Sequence, residues 1–186
     1  MQDAEKITTD TDVLWSDEWL GNQKPHHDYI CDWFQWKLTP GTKILDIGER
    51  SPLTNRLEGR NGVYIVNTTG DLDECDWIEK REYDVVIMSH VIEHLFNPLW
   101  VLEGIKKVLK PDGKLYIISP VKPYWITPAK CHFHEMDFRN MKRLISRAGF
   151  RIIDWDEYSV PIPFRFSLRN WLRRLYKEFS IITLVK

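Results

Sequence analysis

Tyr83–Pro120, YDVVIMSHVIEHLFNPLWVLEGIKKVLKPDGKLYIISP, reads as strand, loop, helix, tight turn and strand. Asp84–Ser89 is a short apolar run rich in β-branched residues, as expected of a strand buried on both faces. Asn97-Pro98 opens a helix, with Asn as N-cap and Pro at the first helical position, where no amide donor is missed. Leu99, Leu102, Ile105 and Leu109 keep one apolar face, and Lys106, Lys107 and Lys110 crowd the negative end of the helix dipole. Pro111-Asp112-Gly113 stops the helix, and Lys114–Ser119 is a second buried strand. The unit is a complete βαβ, so it is expected to be right-handed and to belong to a parallel sheet. Ser89, His90, Glu93 and His94 gather where the first strand ends, and carboxyl ends of strands are where open α/β sheets bind ligands.

Outward from this unit, the totals set bounds. The 186 residues fit one domain with a proper core. A net charge of -1 argues neither for nor against nucleic acid, and no nucleic-acid partner is favoured. Nine Trp and an aromatic share of 13% are high, and the surplus rings outside the strands point to a lid, a ring-binding pocket or an interface. Cys31, Cys75 and Cys131 are odd in number, widely spaced and without CxxC, which reads as reduced thiols. No apolar stretch is long enough to span a bilayer, and MQDAEKITTDTD lacks a signal-peptide core, so a cytoplasmic location is expected.

Upstream, residues 1–12 are polar. Tyr29, Ile30, Trp33, Phe34 and Trp36 predict an amphipathic helix over Pro25–Lys37 that either packs on the sheet edge or closes over a ligand. Trp15–His27, without clear periodicity, is assigned to the flap, and residues 1–38 are treated as an aromatic cap ahead of an α/β domain over 39–186. Lys43–Gly48, KILDIG, is the first core strand, with Asp46 near its carboxyl end. Ser51-Pro52 predicts a helix over Pro52–Leu57, whose N-terminus presents amides and a positive dipole end to an anionic group. Gly62–Thr68 is the second strand, followed by Thr69, Asp71 and Asp73. Only 15 residues, Thr69–Tyr83, lead to the next strand, enough for a single crossover, so the sheet is expected to be abbreviated at one edge. Downstream, Val121–His134 is a Pro-punctuated loop carrying Trp125, Cys131, His132 and His134. A helix capped by Glu135 or Asp137 and closed by Gly149 follows it, then a strand over Phe150–Asp154 and a final strand over Ser180–Val185. Between those strands, Arg165, Arg169, Arg173 and Arg174 beside Trp171 and Tyr176 read as a solvated helix face, with peripheral membrane or anionic contact as the alternative.

This ordered set resembles the class I S-adenosylmethionine-dependent methyltransferases, by motif over Gly41–Gly149 and by position for the last strand. The resemblance implies a Rossmann-like, mostly parallel sheet with helices on both faces, abbreviated at one edge, with an antiparallel C-terminal strand. It implies S-adenosylmethionine as cofactor, held around Asp46, Gly48, Glu49, Arg50, Asn67, Thr68, Asp71, Ser89 and His90. Two departures stand out. Only Gly48 remains of the glycines the family places after the acidic residue, and Glu49-Arg50-Ser51-Pro52 follows, which reshapes the pocket or abolishes it. Arg50 is either a partner for the cofactor carboxylate or a solvated charge. The second strand ends Val66-Asn67-Thr68 instead of on the family's acidic residue, so Asp71 is assigned to the ribose hydroxyls, with Asp73 and a neutral Asn67 contact as alternatives. In many relatives a Glu-His pair like Glu93-His94 is structural. In small-RNA 2′-O-methyltransferases a similar Glu-x-x-Glu-His with a distant His binds a divalent metal, which here would pair His90, Glu93 and His94 with His132 or His134. The hydrogen-bonded reading is preferred, and no metal is assigned.

Methyl transfer needs positioning and at most a base, so no nucleophile is obligatory; His94 and His134 are the general-base candidates. The expected function is methyl transfer to an oxygen or nitrogen of a small-molecule or glycan-like acceptor, against the alternative of a catalytically weakened binding or assembly protein.

Overall fold

The computed structural model of the chain describes residues 17–74, 77–78, 82–121, 132–160 and 177–186. Its strands are β1 (Ile44–Ile47), β2 (Ile65–Asn67), β3 (Tyr83–Ser89), β4 (Leu109–Pro120), β5 (Arg151–Tyr158) and β6 (Phe179–Val185). Its helices are α1 (Asp17–Phe34), α2 (Pro52–Asn61), α3 (Pro98–Val108) and α4 (Phe138–Arg147), with single 3-10 turns at Leu72–Glu74 and Ile92–His94. The strands form one sheet in the order β2-β1-β3-β4-β6-β5. β1 pairs in parallel with β2 and β3, and β3 with β4, whereas β6 runs antiparallel between β4 and β5. β2 is therefore an edge, and the sheet is abbreviated there as the short connection requires.

The period-2 alternation of strand side chains divides the core into two layers. Leu45, Ile47, Val86, Met88, Leu115, Ile117, Ile182 and Leu184 meet α3 and α4 through Val101, Leu102, Ile105, Met141 and Ile145. On the opposite face Ile44, Val85, Ile87, Tyr116, Ile118 and Ile181 meet α1 and α2 through Ile30, Phe34, Leu53 and Leu57. A sheet covered on both faces explains why its parallel strands read as unbroken apolar runs.

Three elements differ from expectation. α1 starts at Asp17 and runs through Pro25, so the backbone of 17–27 is helical where an aperiodic flap was expected. A helix-interior Pro forfeits one backbone hydrogen bond, a loss offset here by the burial of Ile30, Cys31 and Phe34 two turns later. This half of α1 packs on the sheet face, not its edge. Second, β4 begins at Leu109: Tyr83 pairs with Leu109 and Val85 with Lys114, so Pro111-Asp112-Gly113 is a bulge inside the strand and not a turn before it. Third, β5 continues to Tyr158 because β6 pairs with it along its length. The helix caps follow the sequence: Asn97, Ser51 and Asp137 each accept an N–H from the residue three ahead. The expectations for residues 1–12, Trp15, Trp125, Cys131 and the Arg165–Tyr176 cluster lie outside the described residues.

Candidate functional site

β1 and β3 are neighbours, but the chain leaves β1 toward β2 on one side and β3 toward β4 on the other. The carboxyl ends of β1 and β3 therefore flank a topological switch point, where the two connecting loops part and leave a crevice. Gly48 closes β1 at φ 113, a left-handed conformation that favours Gly, and a Cβ there would touch Val91 Cγ2 at 3.5 Å. The loops after β1 and β3 are thus in near contact at the crevice floor.

A polar net holds that floor. Asp46, buried on the α1/α2 side, accepts hydrogen bonds at Oδ2 from Thr54 Oγ1 at 2.6 Å and from Asn67 Nδ2 at 3.1 Å. Burial pushes its carboxyl up to about 6, while the two hydrogen bonds and the Arg50 charge pull the other way. Asn67 Nδ2 also donates to Gly48 O at 3.2 Å, and Gly48 N–H donates to Thr68 Oγ1 at 2.7 Å. Asn67 Oδ1 is left buried with no hydrogen-bond partner among the described residues. A buried acceptor without a donor costs on the order of 1–3 kcal/mol, and a ribose hydroxyl at this strand tip would supply that donor. Thr54 joins the net because the capping box at Ser51 turns its hydroxyl inward; the sequence shows the cap but not the bond to Asp46.

The other expected cofactor residues are placed unevenly. Arg50 Nε donates to Asn55 Oδ1 at 2.8 Å and its guanidinium pairs with Glu58, so it lies along α2. Glu49 is exposed. Asp71 is exposed, with Oδ1 accepting the Asp73 N–H at 2.9 Å. Asp73 is committed: its two oxygens accept the N–H groups of Phe96 at 2.9 Å and Asn97 at 2.7 Å, tying the Leu72–Glu74 turn to the start of α3. Ser89 ends β3, and His90 follows it at φ 54 with its N–H bonded to Ile118 O at 2.8 Å. His90 is the sole non-glycine residue with positive φ among the described residues. Such strain concentrates at functional sites.

Of the general-base candidates, His94 is exposed and its ring meets His132 edge-on at 4.7 Å. His134 reaches the site through its backbone, donating to Glu93 O at 3.2 Å. One donor atom each from Glu93, His94 and His132 lies within 4.8 Å of the other two, and His132 Nδ1 is held by Glu135. Glu93 itself is 1% exposed and turns Oε1 toward His90 Nδ1 at 3.2 Å. Opposite, His90 Nε2 is 2.7 Å from Nε2 of His26, whose Nδ1 is 3.4 Å from the Tyr158 hydroxyl. His26, on α1, is buried against the Phe179 ring at 4.3 Å, and burial lowers its pKa to about 3; His27 beside it is lowered to about 4. His26 and Tyr158 were absent from the expected site because 64 and 68 residues separate them from His90. The weak signal available was a His-His pair on a helix otherwise filled with aromatic rings.

A family profile described as a methyltransferase domain matches residues 41–154, more than half of the chain. A comparison with curated proteins finds no match. Among solved structures, the chain superimposes with a TM-score of 0.71 on one from the complex between the Haloferax volcanii Trm112 methyltransferase activator and its methyltransferase partner, at 13% identity, covering 95% of this chain and 97% of that one. An S-adenosylmethionine-dependent methyltransferase from Archaeoglobus fulgidus gives 0.65 at 14% identity, covering 92% and 100%. The Burkholderia thailandensis 1,6-didemethyltoxoflavin-N1-methyltransferase, solved with 1,6-didemethyltoxoflavin and S-adenosylhomocysteine bound, gives 0.63 at 16% identity, covering 95% and 82%. At these identities the likeness establishes the fold, and the family profile establishes membership. The six-stranded order with its antiparallel β6, the polar floor at the β1–β3 switch point and the profile match agree: the chain belongs to the methyltransferase-domain family, as an enzyme of the class I S-adenosylmethionine-dependent type.

Proposed function

We propose that the chain transfers a methyl group from S-adenosylmethionine to an oxygen or nitrogen of a small-molecule or glycan-like acceptor at the β1–β3 crevice. The observation that carries this reading is the unpaired, buried Oδ1 of Asn67 above the Asp46–Thr54 net. In this reading Asn67, assisted by exposed Asp71, receives the ribose hydroxyls; neutral contact is weaker than a carboxylate's. Gly48, Glu49, Thr68, Ser89 and His90 line the remaining cofactor wall. Arg50 is the least suited of the expected contacts, since its charge is already paired with Glu58. The bound cofactor would supply an electrophilic methyl group; the chain has to orient the acceptor, exclude water and take a proton. The small-molecule class draws support from the toxoflavin-derived compound bound to the Burkholderia thailandensis neighbour. A net charge of -1 adds no affinity for a polyanion.

Isothermal titration with S-adenosylmethionine and S-adenosylhomocysteine tests the reading. Saturable binding that is lost on Asn67→Leu is expected, and binding of neither compound by folded protein would refute it. Transfer of a labelled methyl group onto hydroxyl- or amine-bearing small molecules then identifies the acceptor class.

A further inference from the structure

The turn Ile92–His94 after β3 and the segment that enters α4 are drawn together by backbone hydrogen bonds. Glu93 O accepts the N–H groups of Phe133 at 2.7 Å and His134 at 3.2 Å, which brings His132 beside His94, their rings edge-on at 4.7 Å. Side-chain donors from two distant stretches of chain thereby converge: one ligand atom each from Glu93, His94 and His132 lies within 4.8 Å of the other two. Glu93 is 1% exposed, and a carboxylate so far from water needs a partner for each oxygen. Oε1 has His90 Nδ1 at 3.2 Å, but Oε2 is buried with no hydrogen-bond partner among the described residues. His90 stands outside the set, since its Nε2 meets His26 at 2.7 Å. His132 Nδ1 is bonded to Glu135, whose side chain is 3% exposed, and Nε2 is the nitrogen left for a further bond. A carboxylate behind an imidazole in this way is what orients metal-bound histidines.

We infer that Glu93, His94 and His132 form a binding site for a late first-row divalent cation of the zinc class, with Glu135 orienting His132. Two imidazole nitrogens and one carboxylate oxygen suit such ions, whereas magnesium and calcium prefer oxygen ligands alone. A cation here also supplies what the buried Oε2 of Glu93 lacks. Ligand atoms around a tetrahedral ion stand about 3.3 Å apart, so the three atoms have to close in by no more than about 1.5 Å, within the reach of side-chain rotation. A bound cation takes the place of protons on its ligands, so no particular protonation state of Glu93 or of the two rings is required beforehand. Three protein ligands leave coordination positions open, and His94 is exposed, so the open side takes water or an oxygen ligand from solvent. The ion would tie the entry of α4 to the carboxyl end of β3. That role holds whether or not the chain transfers a methyl group.

The test uses the full chain without an affinity tag, stripped with a chelator and then titrated with Co2+ as a visible probe. Saturable d–d absorption at one Co2+ per chain is expected, displaced by Zn2+, together with a melting temperature that rises with Co2+ concentration. His94→Ala removes an exposed ligand, and His132→Asn keeps an amide N–H for Glu135 while removing the ligand nitrogen; both are expected to abolish the saturable absorption. His134→Ala, whose share in the site is its backbone N–H, is expected to retain it. Glu135→Gln is expected to weaken Co2+ binding by about 10–100-fold. Circular dichroism of the metal-free variants establishes that each is folded. No saturable Co2+ binding by the folded wild type would overturn the inference, as would unchanged binding by folded His94→Ala and His132→Asn. Loss on His134→Ala as large as on His132→Asn would overturn it too, since any surface histidine would then serve.

Discussion

Asp46 imposes an energetic cost on the fold, and the cost can be measured. Its carboxyl is buried and rises from 3.8 to about 6 in the folded chain, chiefly through desolvation. The sign follows from linkage: between those two values the folded protein binds a proton that the unfolded chain does not, so the ionised group destabilises the fold. The penalty is fully present above about pH 6 and absent below the unfolded value of 3.8. At about 1.4 kcal/mol per pH unit, holding the carboxylate ionised costs about 3 kcal/mol at neutral pH. Asp46→Asn removes the charge and keeps an oxygen for Thr54 and Asn67, although its new amide protons need partners the carboxylate did not. The pH-independent effect of the substitution can therefore take either sign, but the pH-dependent effect has only one. Urea unfolding of wild type and Asp46→Asn from pH 4.5 to 8 is expected to show the variant gaining relative stability with rising pH, by about 2 kcal/mol over that range. Taking the difference cancels the histidines, which titrate in both proteins. Calorimetry should show weaker S-adenosylmethionine binding by the variant, the trade expected of a residue kept for function. A stability difference that stays flat from pH 4.5 to 8 would refute the buried-charge argument.

Three further outcomes follow from the same geometry. Gly48→Ala places a side chain at φ 113 and is expected to cost about 1–3 kcal/mol in urea unfolding, with weakened cofactor binding. Arg50→Ala breaks a half-exposed pair with Glu58, so a loss below about 1 kcal/mol is expected, with S-adenosylmethionine affinity unchanged within about twofold in titration calorimetry. A clear drop in affinity would instead assign Arg50 to the cofactor carboxylate. His26 and His27 bind protons in the unfolded chain near 6.5 but in the folded chain only near 3 and 4, so stability falls as pH drops below 6.5. His26→Gln should flatten that fall in thermal melts by up to about 1.4 kcal/mol per pH unit.

What the sequence disclosed and what it withheld divide along one physical line. The mostly parallel sheet, the helices on both its faces and the short edge were legible because each depends on local signals: apolar runs, caps at Ser51, Asn97 and Asp137, and a connection too short for another strand. Asp46, Gly48 and Asn67 were legible as candidate site residues for the same reason, lying at strand ends that the pattern itself marks. The Asp46–Thr54 bond, the commitment of Asp73 to the start of α3 and the Arg50–Glu58 pair were not, because they depend on side-chain direction within a turn. His26 and Tyr158 were hidden more deeply. α1 comes over the sheet mouth only because Ile30 and Phe34 are buried beneath it and Arg56 and Arg60 hold Asp28 and Asp32 from α2. That docking carries a helix with no strand-end mark of its own to the end of β3, where His26 meets the ring of His90. The local motif Ser89–His94 supplies the carboxylate and the ring, but what the far side of the His90 ring meets is decided by tertiary packing. Substitutions at Ile30 or Phe34 should therefore shift the imidazole 15N resonances of His90 before they alter cofactor affinity. Unchanged His90 resonances in a folded variant would mean that the His26–His90 contact does not depend on how α1 docks.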